Sequence, residues 1–265
     1  MDCVEKGRIV IDVEARELVR LGERLDDSFT RAIHLIKDAG EARHKGVVVG
    51  VGKSGWIGES IAATLTSAGA PAVVLNSLNA LHGDLGVVSD GDVVLALSYS
   101  GETEELNNII PALSRFDVQI VSITGSSKSF LARNSAVHLD ANVEKEACPL
   151  QLAPTSSTTT MLALGDAVAM VLLELRGFKR EDFARYHPGG RLGRGLLLKV
   201  EQIMRPATEM ARVDPAMTVQ DVLKEMTRLR GGAAVVVDPD GAMLGIFTHG
   251  DFARNFQEDP TLGPQ

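Results

Sequence analysis

Five short apolar runs, at residues 47–51, 72–75, 93–97, 119–124 and 136–139, constrain this chain more than any other feature. Helix-patterned stretches lie between them, at 57–68 and 104–115. Apolar residues fill consecutive positions of the runs, so both faces of each strand need cover. Such strands, alternating with helices, predict a doubly wound α/β domain built on a parallel sheet. Its ligand should lie in the crevice at the carboxyl ends of the strands. Ahead of the sheet, Leu18, Leu21, Leu25, Phe29, Ala32 and Ile36 recur at three- and four-residue spacing. That periodicity predicts one amphipathic helix over about 10–39, stopped at Gly40. A further strongly helical segment covers about 157–175.

The turns at the expected crevice are rich in hydroxyls. Ser98-Tyr99-Ser100-Gly101-Glu102-Thr103 follows a strand and opens a helix. One hydroxyl would suffice to cap that helix; three with a glycine suit a phosphate cradle, because free N–H groups at a helix start attract anions. Gly50-Val51-Gly52-Lys53-Ser54-Gly55 formally matches the dinucleotide pattern G-x-G-x-x-G, but Asn76-Ser77 stands where the ribose-binding acid belongs. A phosphate-binding loop of the G-x-x-x-x-G-K-S type would need glycine where Val47 stands. What remains is a glycine-rich turn carrying Lys53 and Ser54 beside an anion. His82 and Asp84 share a glycine-containing loop, where they serve either acid–base chemistry or a turn. Glu146 precedes Thr155-Ser156-Ser157-Thr158-Thr159-Thr160, a hydroxyl excess at the start of the long helix. It is either a base near the ligand or a loop charge. His187-Pro188-Gly189-Gly190 ends another helical pattern, where a histidine also complements the helix dipole.

A formal charge of −8 excludes a general nucleic-acid binder, which needs a basic face. It leaves room for a locally positive pocket. The two cysteines, Cys3 and Cys148, supply neither a disulfide framework nor a cysteine metal cluster. The longest apolar run, around 161–175, is interrupted by Gly165, Asp166 and Glu174, and the first residues lack a secretory pattern. The expectation is a reduced, cytoplasmic protein with no membrane partner. Composition shifts near residue 200, which predicts one domain over 1–200 and a second over 201–265. The second reads β-α-β-β-α with a turn at Asp238-Pro239-Asp240-Gly241. At about sixty residues it is small enough to need a docking partner.

Taken together, GVGKSG (50–55), HGDLG (82–86), SYSGETEEL (98–106), KEACPLQLAPTSSTTTMLALGDA (145–167) and HPGGRLGR (187–194) resemble the sugar isomerase (SIS) domain. The last two resemble, more narrowly, the arabinose-5-phosphate isomerase family, which serves Kdo synthesis for lipopolysaccharide. The segment GIFTHGDF (245–252) resembles a cystathionine-β-synthase (CBS) motif. The resemblance implies an aldose–ketose isomerase that interconverts D-ribulose 5-phosphate and D-arabinose 5-phosphate without metal or organic cofactor. It assigns Lys53, Glu105, Glu146 and His187 to catalysis, with Glu146 ahead of Glu105 as the proton shuttle. It assigns His82, Ser54, Ser98, Ser100, Gly101 and Thr103 to the substrate. It also implies a homotetramer whose sites take residues from neighbouring subunits.

The chain departs from the family pattern at the rim. Asn76 replaces a histidine associated with zinc in relatives, and Trp56 replaces another histidine. CBS motifs usually come in pairs, and one is read here. A nucleotide effector at that motif is therefore weakly implied. The competing reading is a phosphosugar sensor. Sensors of this type usually carry a helix-turn-helix domain, whereas about forty residues precede the sheet here and read as one helix.

Overall fold

The computed structural model describes residues 2–190, 195–196 and 198–258. The chain divides into two units, Met1–Leu197 and Leu198–Gln265. The first opens with α1 (Cys3–Glu23) and α2 (Asp27–Glu41). It continues as β1 (Gly46–Gly50), α3 (Lys53–Ser67), β2 (Ala72–Asn76), α4 (Ser77–Ala80), β3 (Val93–Leu97), α5 (Glu104–Asn107) and α6 (Ile110–Leu113). β4 (Gln119–Thr124), α7 (Phe130–Arg133), β5 (Val137–Asp140), α8 (Ser156–Leu175) and α9 (Arg180–Tyr186) complete it.

All five strands run parallel, in the order β2-β1-β3-β4-β5. Side chains alternate between two separate cores. Val48, Leu95, Leu97, Val121 and Ile123 pack under α2, α3 and α8. Val47, Val49, Val94, Ala96 and Ile120 pack under α5, α6 and α7. The chain leaves β1 for β2 on one side and reaches β3 on the other, so a crevice opens between the ends of β1 and β3. α8 is long and apolar enough to cross a membrane by length and composition alone. In this unit it is a core helix, with Met161, Leu164, Val168 and Leu172 buried. It lies close against α3: a Cβ on Gly165 would fall 2.3 Å from Ile61 Cδ1.

Two expectations about helices need correction. The single helix over 10–39 is two helices. Asp26 adopts extended backbone and its carboxylate accepts the Ser28 amide, starting α2 afresh. The helix over 104–115 is also split, into α5 and α6, around Ile109. Pro111, which has no N–H to donate, lies within the first turn of α6.

The second unit contains α10 (Val200–Ile203), β6 (Ala211–Val213), α11 (Val219–Arg228), β7 (Ala233–Val237), β8 (Met243–Thr248) and α12 (His249–Glu258). β6 pairs parallel to β7, and β7 antiparallel to β8. Ala211, Val213, Val222, Met226 and Ala234 form its small core. Thr248 and Asp251 cap α12 reciprocally: Thr248 Oγ1 donates to Asp251 Oδ2 at 2.7 Å, and the Asp251 amide donates back at 3.2 Å.

Candidate active site

The turn from β1 into α3 closes over glycine. A Cβ on Gly50 would come within 2.8 Å of the Ser54 carbonyl oxygen, and Gly52 sits at φ +58°. No side chain caps α3, so its first amides are left unpaired by a cap at the crevice end of the helix. Lys53 is exposed, and its Nζ donates to the Pro154 carbonyl at 2.8 Å. Ser54, the next residue, is half-buried.

The turn after β3 is organised by Ser98, which is buried. Its hydroxyl lies 2.8 Å from Thr103 Oγ1 and 3.5 Å from Ser100 Oγ, and it accepts the Gly101 amide at 3.0 Å. Thr103 precedes α5 without a side-chain cap bond, so these hydroxyls are not consumed by helix capping. Gly101 has φ +67°, and a Cβ there would lie 2.1 Å from Ser129 Oγ. Ser100 remains exposed at the mouth of the turn.

Glu146 is joined to the N-terminus of α8. Its Oε2 accepts the Thr155 amide at 2.8 Å, the Thr155 hydroxyl at 2.9 Å and the Ser157 amide at 3.3 Å. Burial works against the charge. It is outweighed by Ser157 and Thr155, which hold the carboxyl below the usual carboxylate range. The Ser157 hydroxyl makes no hydrogen bond of good geometry, yet it lies close enough to favour the anion. Gln151 holds the backbone of the loop, accepting the Glu146 amide at 3.1 Å and donating to the Glu146 carbonyl at 2.7 Å. The buried Glu17 of α1 accepts the Glu144 amide at 3.1 Å, and Glu14 accepts the Thr159 hydroxyl at 3.1 Å. One face of α1 thus supports this loop from within the chain. Since Pro154 adjoins Thr155, the Lys53 bond brings the lysine and Glu146 to one end of α8.

The remaining residues are spread around this centre. Glu105 is exposed on α5, and its carboxylate makes no hydrogen bond or ion pair among the described residues. His82 is exposed in the turn after α4. His187 follows α9, where its Nδ1 lies 3.0 Å from the Phe183 carbonyl and its ring stacks on Phe183 at 3.9 Å. With Tyr186 it lines a groove of about 490 Å³ against α3 and β2. No hydrogen bond links it to Lys53, Ser98 or Glu146 among the described residues. Residues 191–194 of the HPGGRLGR segment lie outside the described residues. At the rim, Asn76 is spent on capping α4, accepting the Leu78 and Asn79 amides. Trp56 is exposed and shares a groove of about 410 Å³ with Asn76 and Leu78.

Sequence reasoning left Thr155, Gln151, Tyr99 and the two α1 glutamates without roles. The hydroxyl run after Pro154 was the available signal for Thr155. Glu17 pairs locally with Arg20 at 2.8 Å, but nothing in local spacing marks the bonds from Thr159 to Glu14 and from Glu144 to Glu17, which span more than a hundred residues.

The SIS domain family matches residues 41–171, the span that carries the parallel sheet and the hydroxyl-lined turn at its switch point. The CBS domain family matches residues 200–258. The chain is 47% identical over 254 residues to arabinose 5-phosphate isomerase of Pseudomonas aeruginosa, covering 96% of this chain and 77% of that one. It is 45% identical over 255 residues to the Escherichia coli K12 arabinose 5-phosphate isomerase, with the same coverage. A solved Escherichia coli CFT073 protein in complex with arabinose 5-phosphate is 36% identical, with a TM-score of 0.68, and the match covers 71% of this chain and 98% of that one. The chain belongs to the arabinose 5-phosphate isomerase family.

Proposed function

We propose that the chain interconverts D-arabinose 5-phosphate and D-ribulose 5-phosphate through an enediol, supplying Kdo and lipopolysaccharide synthesis. The observation that carries the reading is the assembly at the start of α8: a carboxylate held ionised, and an ammonium bonded to the adjoining loop. An aldose–ketose isomerase needs both, a base for the proton next to the carbonyl and a cation for the oxyanion that follows.

In this reading Ser54, Ser98, Ser100 and Thr103 bind the phosphate, with the Gly101 amide fixing the turn. Glu146 removes the C2 proton of the open-chain aldose as the electron pair forms the C1–C2 double bond. Negative charge collects on O1, opposite Lys53. The O2 proton passes to O1, C2 becomes the carbonyl, and Glu146 returns its proton to C1. His82 and His187 assist ring opening, and Glu105 is the alternative carboxylate at the site. The residues proposed for these steps require neither metal nor organic cofactor. We further propose a cytoplasmic homotetramer, which supplies each site with residues from a neighbouring copy. At the CBS motif Thr248 and Asp251 bond to each other, and we assign no nucleotide effector there.

The test is proton exchange followed by NMR, with D-arabinose 5-phosphate in deuterated buffer containing EDTA. Conversion with deuterium entering beside the carbonyl supports the reading. Binding without exchange would replace it with a sensor.

A further inference from the structure

The Thr155 hydroxyl stands between two groups that together fix its proton. The Ala147 amide donates to Oγ1 at 2.8 Å, which occupies the hydroxyl as an acceptor. Its own O–H is then free to point to Glu146 Oε2, 2.9 Å away. The Thr155 and Ser157 amides aim at the same oxygen. A proton arriving on Oε2 would meet three donors. Oε1 accepts no hydrogen bond among the described residues.

We propose that Thr155 is a positioning residue that makes the Glu146 carboxylate two-sided: Oε2 is locked to α8, and Oε1 alone exchanges the substrate proton. The proposal rests on the reading of Glu146 as the base. The hydroxyl acts in two ways. It stabilises the ionised form that accepts the proton. It also stops rotation of the carboxylate about its final bond, so the same oxygen that takes a proton from C2 can return it to C1. A carboxylate free to rotate would spend part of its time with the wrong oxygen forward.

Three variants of the full-length protein, followed by kcat and KM across pH, test this. Thr155→Val removes the donor while keeping the shape. Loss of a hydrogen bond to a charged group is expected to lower kcat about tenfold at neutral pH and to raise the midpoint of the acid limb by about one pH unit. KM should stay within about twofold, because the substrate is not touched. Thr155→Ser should restore both the rate and the acid limb. Thr155→Cys, a weak donor that serves if the valine variant folds poorly, should move the acid limb in the same direction as valine. An acid limb left in place in the valine or cysteine variant overturns the proposal and leaves Thr155 a structural support. Glu146→Gln separates the two layers. Turnover retained there removes the base reading and this inference with it. Turnover lost there, with the acid limb unmoved in the Thr155 variants, removes this inference alone.

Discussion

The Tyr99 hydroxyl accepts the Val143 amide at 3.2 Å, tying the hydroxyl-rich turn after β3 to the loop that carries Glu146. Tyr99 lies between Ser98 and Ser100, and Val143 three residues before Glu146. Burial raises the phenol's pKa, and the nearby charges of Glu146 and Glu17 raise it further, so the hydroxyl stays protonated. Tyr99→Phe leaves the largely buried Val143 amide unpaired. It should cost about 1–3 kcal/mol of stability by urea denaturation. It should also lower kcat more than it raises KM, since the loop is displaced while the residues proposed to bind the phosphate stay in place.

Gly101→Ala places a methyl group against Ser129 Oγ at a backbone angle that disfavours any side chain. Strain of this kind costs on the order of 1–3 kcal/mol before the clash is counted. The turn must shift, and the Ser98 hydroxyl loses the amide it accepts. Calorimetric titration with D-arabinose 5-phosphate should show binding lost while circular dichroism stays close to that of the parent. Unchanged affinity would remove the phosphate role from this turn.

The proposed sharing of sites between copies is tested by asking whether His187 of one copy serves Glu146 of another. Inactive Glu146→Gln and His187→Ala proteins, mixed under mild dissociating conditions and returned to buffer, should regain activity beyond the sum of the two. No recovery, with mixed oligomers demonstrated by mass spectrometry, would place His187 in its own protomer's chemistry or outside it.

Acid should unfold the first unit through identifiable carboxylates. Asp92 is buried; burial raises its pKa, but the Lys45 ammonium at 2.7 Å, the Lys45 amide at 3.1 Å and the Ser89 amide at 2.9 Å bring it below the ordinary value. Glu146 is lowered as well. A pKa lower in the folded than in the unfolded chain gives stability that is complete above the unfolded value and is lost as pH falls through the folded one. Asp92→Ala, which leaves Lys45 without its partner, should cost about 3 kcal/mol at neutral pH. Its stability should then fall less steeply on acidification, as urea midpoints across pH would record.

The sheet was readable because strands such as Val93–Leu97, buried on both faces, cannot be mistaken for half-exposed ones. The hydroxyl cluster after β3 was readable because Ser98, Ser100 and Thr103 exceed what a cap consumes, and Thr103 makes no side-chain cap bond. The break at Asp26 was missed because apolar spacing from Leu25 to Phe29 continues across it, and only the aspartate signals a new start. Glu146 was chosen by resemblance. Its bond to Thr155 spans a loop whose path is set by Gln151 and by Glu17 of a distant helix. Periodicity carries no information about such closure, since it comes from tertiary contacts.

The contact of Gly165 with Ile61 reaches further than packing. Lys53 opens α3 and Glu146 is fastened to the start of α8, so the two charges ride on a pair of abutting beams. The fulcrum is nine residues into α8, about 14 Å from its first turn at 1.5 Å per residue. A methyl group added there would push the beams apart and widen the gap between cation and carboxylate, detuning the chemistry from a place no substrate touches.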